Sequence, residues 1–129
     1  LRVHARLVPA TEPIKYLPGT NAEAYVRNQA CILTNGTLTR ALPTQRPTHI
    51  VQAAVAAATP ANPRIPVIEV LPDIEFVTTS TVAIAPTVVG VAVTLHTDAV
   101  AVTGTTASGV FTITHTSNAV GGVVRGIFR

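Results

Sequence analysis

Apolar and polar positions alternate along much of the chain in short runs separated by turn residues, with the period of a strand rather than a helix. In VFTITHT (110–116), Phe111 and Ile113 project to one side and Thr112 and Thr114 to the other. His115 falls on the Phe111–Ile113 side, and His96 continues the side of Ala92 and Thr94. From Val88 onward the pattern predicts strand throughout: GVAVTLHT, a turn at Asp98-Ala99, VAVTG, a polar tip TTASG, VFTITHT, a turn at SNAVGG and a closing VVRGIFR. Upstream, IPVIEVLPDIEFVTT reads as two strands pivoting at Leu71-Pro72-Asp73, a turn-forming trio. Another strand starts at His49 to Gln52, with a loop behind it, because Pro60 and Pro63 close off an alanine run too short for an independent helix. The clearest local signal is ACILT, Asn35-Gly36, TLTRA. Asn-Gly between two β-rich runs is a two-residue hairpin turn, since both central positions need positive φ.

The first twenty residues differ. Pro9, Pro13 and Pro18 each fix their own φ and push the preceding residue toward extended geometry, so this stretch reads as an arm. Residues 21–29 leave a helical turn and a strand around Tyr25 and Val26 both open. The expected fold is all-β, a small β-barrel or β-sandwich with an extended N-terminal arm over 1–29 and a β-rich domain over 30–129.

Composition then changes the picture of the surface. Charged residues are 12% of the 129, against about 25% in an average soluble domain, while 47% are hydrophobic. In residues 91–116 only Asp98 carries a full charge. Water-facing positions must therefore be filled by Thr, Ala and Val. The net charge of +3 comes from basic residues scattered from Arg2 to Arg129 without a cluster. A nucleic-acid surface needs a dense basic stripe, usually with stacking aromatics, and aromatics are 4% here, so no nucleic-acid partner is expected. The most apolar stretch, 81–95, is shorter than the roughly 20 residues of a spanning helix and is interrupted by Pro86 and Gly90. A strand pair buried in protein is expected there, and no membrane partner. The N-terminus lacks the apolar run of a secretory signal, and Leu1 in place of a start methionine makes residues upstream an expectation.

Candidate chemistry is sparse. Ser80, Ser108 and Ser117 sit in no G-x-S-x-G elbow, and no local signature ties a His and an acid to any of them. His4, His49, His96 and His115 lack zinc-ligand spacing and read as hydrogen-bonded structural histidines. Glu69, Asp73 and Glu75 bracket the Leu71-Pro72 turn and suit surface salt bridges with nearby arginines. Cys31, lying among Ala30, Ile32 and Leu33, reads as a small buried hydrophobe. Asn35-Gly36-Thr37 spells a glycosylation acceptor, but the hairpin turn accounts for it. GGVVRG at 121–126 is no phosphate loop. No catalytic, cofactor-binding or metal-ligating residue is therefore assigned, and neither an enzyme nor a small-molecule substrate is expected.

The segments PTHIVQA, IPVIEVLPDIEFVTTST and VGVAVTLHTDAVAVTGTTASGVFTITHTSNAVGGVVRGIFR together resemble the head decoration, or cement, proteins of tailed bacteriophages. The likeness runs from about residue 30 to 129 as an ordered series: a hairpin with a small-residue turn, a PTHI strand, a PVIxVxPDIxFxTT pair, VGxxVTLHTD, a TTxSGV tip and GxxVRGxF. The chain departs from it at Ala99, where a glycine is usual, and at Ala92, where a charged residue is common. The resemblance implies a structural virion protein on the outer capsid surface, bridging major capsid protein subunits, as a homo-oligomer. On that reading the 1–20 arm extends across a neighbour. A surface-displayed β-sandwich adhesion or carbohydrate-binding module is the alternative; with no Trp and few other aromatics, the chain lacks the usual sugar-stacking platform.

Overall fold

The computed structural model describes residues 1–6, 13–57 and 63–129. The fold is all-β, two five-stranded antiparallel sheets packed as a sandwich-like pair with no closed barrel. The strands are β1 (Arg2–Arg6), β2 (Lys15–Pro18), β3 (Ala30–Thr34), β4 (Thr37–Arg40), β5 (His49–Val51), β6 (Arg64–Glu69), β7 (Ile74–Thr79), β8 (Ala92–Val93), β9 (Phe111–Thr116) and β10 (Val123–Phe128). One sheet has the order β1-β7-β10-β9-β8 and the other β2-β6-β5-β3-β4. Apart from β1, the chain completes the second sheet before starting the first. The Leu71-Pro72-Asp73 pivot is thus the crossing between sheets, because β6 and β7 belong to different ones.

The Asn-Gly hairpin forms as its sequence predicts. β3 pairs with β4 from Cys31↔Arg40 to Thr34↔Thr37, and Asn35 and Gly36 take φ of 51° and 82°. Of the N-terminal stretch, residues 1–6 and 13–20 are described, with β1 and β2 lying along the domain's own sheet edges; Pro9 lies outside the described residues. β1 pairs with β7 and β2 with β6, so these two described N-terminal strands complete the sheets formed by later strands. Tyr25, left open between turn and strand, is buried and bridged to Val55. Its hydroxyl donates to the Leu38 carbonyl at 2.6 Å and accepts the Thr20 N–H at 2.7 Å.

The main core lies between the sheets. Ala30, Ile50, Ile68 and Val70 from one face meet Ile74, Phe76, Val93, Phe111, Ile113, Val124 and Phe128 from the other. The second sheet also curls around a smaller core on its opposite face, made of Tyr25, Cys31, Leu38, Val51, Ile65 and Val67. This curl brings its two edges together at the single bridge Gly19↔Leu38. Cys31, fully buried here, has its thiol pushed up to about 12 by burial, so it packs rather than reacts.

Regular strand after Val88 is less extensive than the alternation suggests. β8 is two residues long, and the 94–110 stretch is held by isolated bridges, Leu95↔Val102 and Ser80↔Val102. The expected turns are in place, with Ala99 and Ser108 at φ of 58° and 57°.

All three phenylalanines form one cluster on adjacent strands. Phe76 and Phe111 each meet Phe128 edge-on, at centroid distances of 5.5 and 5.1 Å. Gly126 makes room for it: a Cβ there would lie 2.6 Å from a Phe111 ring carbon and 2.4 Å from the Thr112 carbonyl oxygen. Gly126→Ala should therefore cost about 1–3 kcal/mol through overpacking, read as a lower urea midpoint. A wild-type midpoint would show that the ring has room to retreat.

Candidate interaction surface

The most apolar stretch of the sequence lies on the surface. Residues 81–91 run beside β9, tied to it by the Thr116 hydroxyl donating to the Ile84 carbonyl at 2.7 Å and by Gly90 N–H donating to the Ile113 carbonyl at 2.8 Å. Only Ile84 is buried in this stretch, and Val88 is partly covered against the core. Val82, Val89 and Val91 are 43%, 46% and 42% exposed, so the buried strand pair expected for 81–95 exists only in its second half, where Val93 and Leu95 are core. The reason is competition for one interior. β9 already offers Phe111 and Ile113 to the core, and Pro86 starts a single 3-10 turn, Pro86–Val88, that lifts the chain off the sheet.

Neighbouring loops extend this surface. The β9–β10 loop abuts its start, with Gly121 N–H donating to the Ser80 carbonyl at 2.9 Å and Val120 76% exposed at the tip. The 103–108 loop is close by, since a Cβ on Gly104 would lie 2.8 Å from a Val82 methyl. None of these segments carries a full charge. Between Glu75 and Arg125 the sequence has one, Asp98.

Asp98 is spent locally. Its carboxylate accepts N–H bonds from Val100 at 2.8 Å and Ala101 at 3.2 Å, and its other oxygen lies 3.3 Å from His96 Nδ1. Burial pushes this carboxyl up, but the two N–H bonds and His96 outweigh burial and hold it below the usual value. The charge closes the turn that places Ala99 at positive φ in the core, the position where the resemblance puts glycine.

The other candidate residues are dispersed. His4 Nε2 lies 3.1 Å from Arg125 and 3.6 Å from Glu75, which also accepts from the Thr114 hydroxyl at 2.6 Å. Glu69 pairs with Lys15 at 3.3 Å, a lysine where arginines were expected. His115 is exposed, against its expected side. A bulge in the β9–β10 ladder, Arg125↔His115 followed by Gly126↔Ile113, inserts Thr114 as an extra residue and reverses the alternation after Ile113. Ser80 is buried and donates to the Val82 carbonyl, while Ser108 and Ser117 are exposed. Among the described residues no three His, Cys, Asp or Glu side chains group as a metal site, and no helix is long and apolar enough to cross a membrane.

Sequence reasoning missed one concavity, on the curled sheet. A cavity of about 350 Å³ is lined by Leu33, Arg46, Pro47, Thr48, His49, Glu69 and Val70. Cross-strand register assembles it, with His49 opposite both Cys31 and Glu69. His49 is 7% exposed, and burial holds its imidazole below the ordinary value; Glu69 opposes this and Lys15 adds to it. No protein-family model and no curated protein matches the chain.

Asp98→Ala should destabilise the protein by about 1–2 kcal/mol at neutral pH, because two backbone donors lose a charged acceptor. The carboxyl is depressed in the folded state, so its contribution is complete above the unfolded value of about 3.9 and is lost as pH falls through the folded value. Denaturation of both proteins should accordingly show a gap that closes below about pH 4. A gap independent of pH would assign the effect to the turn alone.

Proposed function

We propose that this protein is a structural component of a phage virion, docking on the outside of the capsid and bridging major capsid protein subunits, as a homo-oligomer. The observation that carries the proposal is the exposed, charge-free run 81–91. A chain with this much hydrophobic residue and one core between its sheets had the means to bury Val82, Val89 and Val91, yet they face outward. Desolvating such a surface is inexpensive. Removing an ionised side chain from water costs several kcal/mol unless it is paired, whereas valine gains about 25 cal/mol per Å² buried and threonine needs only one hydrogen-bond partner. Permanent interfaces commonly bury more than about 2,000 Å² in total, roughly 1,000 Å² per partner. That is a modest part of the 6420 Å² accessible here, and several such contacts fit on one molecule. The resemblance over 30–129 supports the same reading. Since β1 and β2 complete the domain's own sheets, the weight of the proposal rests on this surface rather than on an arm reaching to a neighbour.

The test is to add purified protein to expanded, undecorated heads of tailed phages and to image them by cryo-electron microscopy. Wild type should occupy repeating positions on the shell. Val89→Glu and Val91→Glu, both at exposed sites, should leave the thermal midpoint within a few degrees and weaken occupancy at least about tenfold. Heads left bare by wild type, or decorated equally by the glutamate variants, would overturn the assignment.

A further inference from the structure

We infer that the cavity over β3, β5 and β6 is a binding site for a carboxylate carried on a short branched apolar stem. The polar side chains at its wall are Arg46, Thr48, His49 and one carboxylate, Glu69. Thr48 Oγ1 accepts the Leu33 N–H at 2.8 Å, and its own hydrogen has two acceptors within reach, His49 Nδ1 at 2.8 Å and the Cys31 carbonyl at 3.5 Å. With Thr48 assigned as donor to the nearer one, the imidazole proton sits on Nε2. That nitrogen has no hydrogen-bond partner among the described residues, although His49 is more than nine-tenths buried and lines the cavity. A buried, unsatisfied donor is costly in an isolated protein and is relieved by an acceptor entering from outside.

Charge selects the kind of acceptor. Glu69, the one lining carboxylate, is held by Lys15 at 3.3 Å in an exposed pair, which leaves Arg46 as the lining charge without a counter-ion. Arg46 has no carboxylate within ion-pair distance among the described residues; one of its nitrogens donates to the Phe128 carbonyl at 3.3 Å, and other guanidinium hydrogens stay available. A fixed cation beside a neutral imidazole N–H favours an anion with two acceptor oxygens over a neutral amide or alcohol. Leu33, Pro47 and Val70 supply the apolar wall. About 350 Å³ lies near the small end of ligand cavities and suits a stem of four or five carbons.

Such a carboxylate could be a free short-chain acid or the end of a peptide chain, so two probes are needed. Isovalerate and N-acetylvaline would be titrated into the full-length, ¹⁵N-labelled protein while the His49 ring nitrogens are followed by NMR, with isovaleramide as the neutral control. Saturable shifts of Nε2 by either acid are expected, with the amide binding at least about tenfold more weakly. The tighter acid identifies the source. Arg46 is exposed, so Arg46→Gln should keep the backbone spectrum and reduce acid binding about tenfold. Thr48→Val should weaken acid binding by freeing the ring to change tautomer, with the residual preference for acid left to Arg46. No saturable shift at His49, equal binding of acid and amide, or unchanged affinity in Arg46→Gln would each overturn the site.

Discussion

Everything in the first sheet is arranged around the need to fit three phenylalanine rings onto neighbouring strands. Phe76, Phe111 and Phe128 carry the largest side chains of the main core and meet edge to face. Three rings across adjacent strands are too bulky for a flat, regular ladder, and the sequence answers with a glycine at 126, directly opposite Phe76 and beside the Phe111 ring. The β9–β10 ladder slips by one residue at the same place. That slip turns Thr114 toward Glu75 and His115 toward water. One packing requirement thereby decides which side chains line the outside of the sheet several residues away.

Local chemistry made part of this legible from sequence. Asn35-Gly36 needs no tertiary context to specify its turn, and the prolines of the first twenty residues dictate extended backbone wherever that backbone goes. Where it goes is a different question. Nothing in RVHAR or KYLP says that each completes a sheet of its own molecule, because edge pairing is set by backbone groups that every residue shares. His115 was misplaced for a related reason: period-two alternation holds only while the ladder is regular, and the β9–β10 ladder shifts register beside it. The gathering of Leu33, His49 and Glu69 around one cavity was equally out of reach, since it depends on the cross-strand register of β3, β5 and β6.

The misjudged stretch 81–95 is the most informative. Hydrophobicity marks residues that gain by leaving water, but it does not say whether their own chain or another supplies the cover. Here the core is already filled by Ile84, Val93 and Leu95 on either side, and the valines between them remain outside. A protein under selection only for solitary solubility would replace such valines with charged residues at little cost in stability. The one charge retained between Glu75 and Arg125 is Asp98, bound to two backbone N–H groups and thus serving a turn rather than hydration.

How such a surface avoids indiscriminate aggregation follows from the treatment of the sheet edges. β2 and β4 meet at Gly19↔Leu38, so the two edges of the curled sheet are joined at that point. The 84–91 run lies along β9 where β8 is too short to pair, hydrogen-bonded at Ile113 in both directions. The remaining edge, β1, carries Arg2 and has a bulge between Val3 and Ala5, and both a charge and a broken ladder discourage an incoming strand. Strand addition is the non-specific route by which β proteins associate, because backbone hydrogen bonding ignores side-chain identity. With that route obstructed, the docking proposed above would run through the Val and Thr side chains of 81–91 and its neighbouring loops. Contacts of that kind depend on shape complementarity, which a repeating protein shell provides at equivalent positions and a random encounter does not.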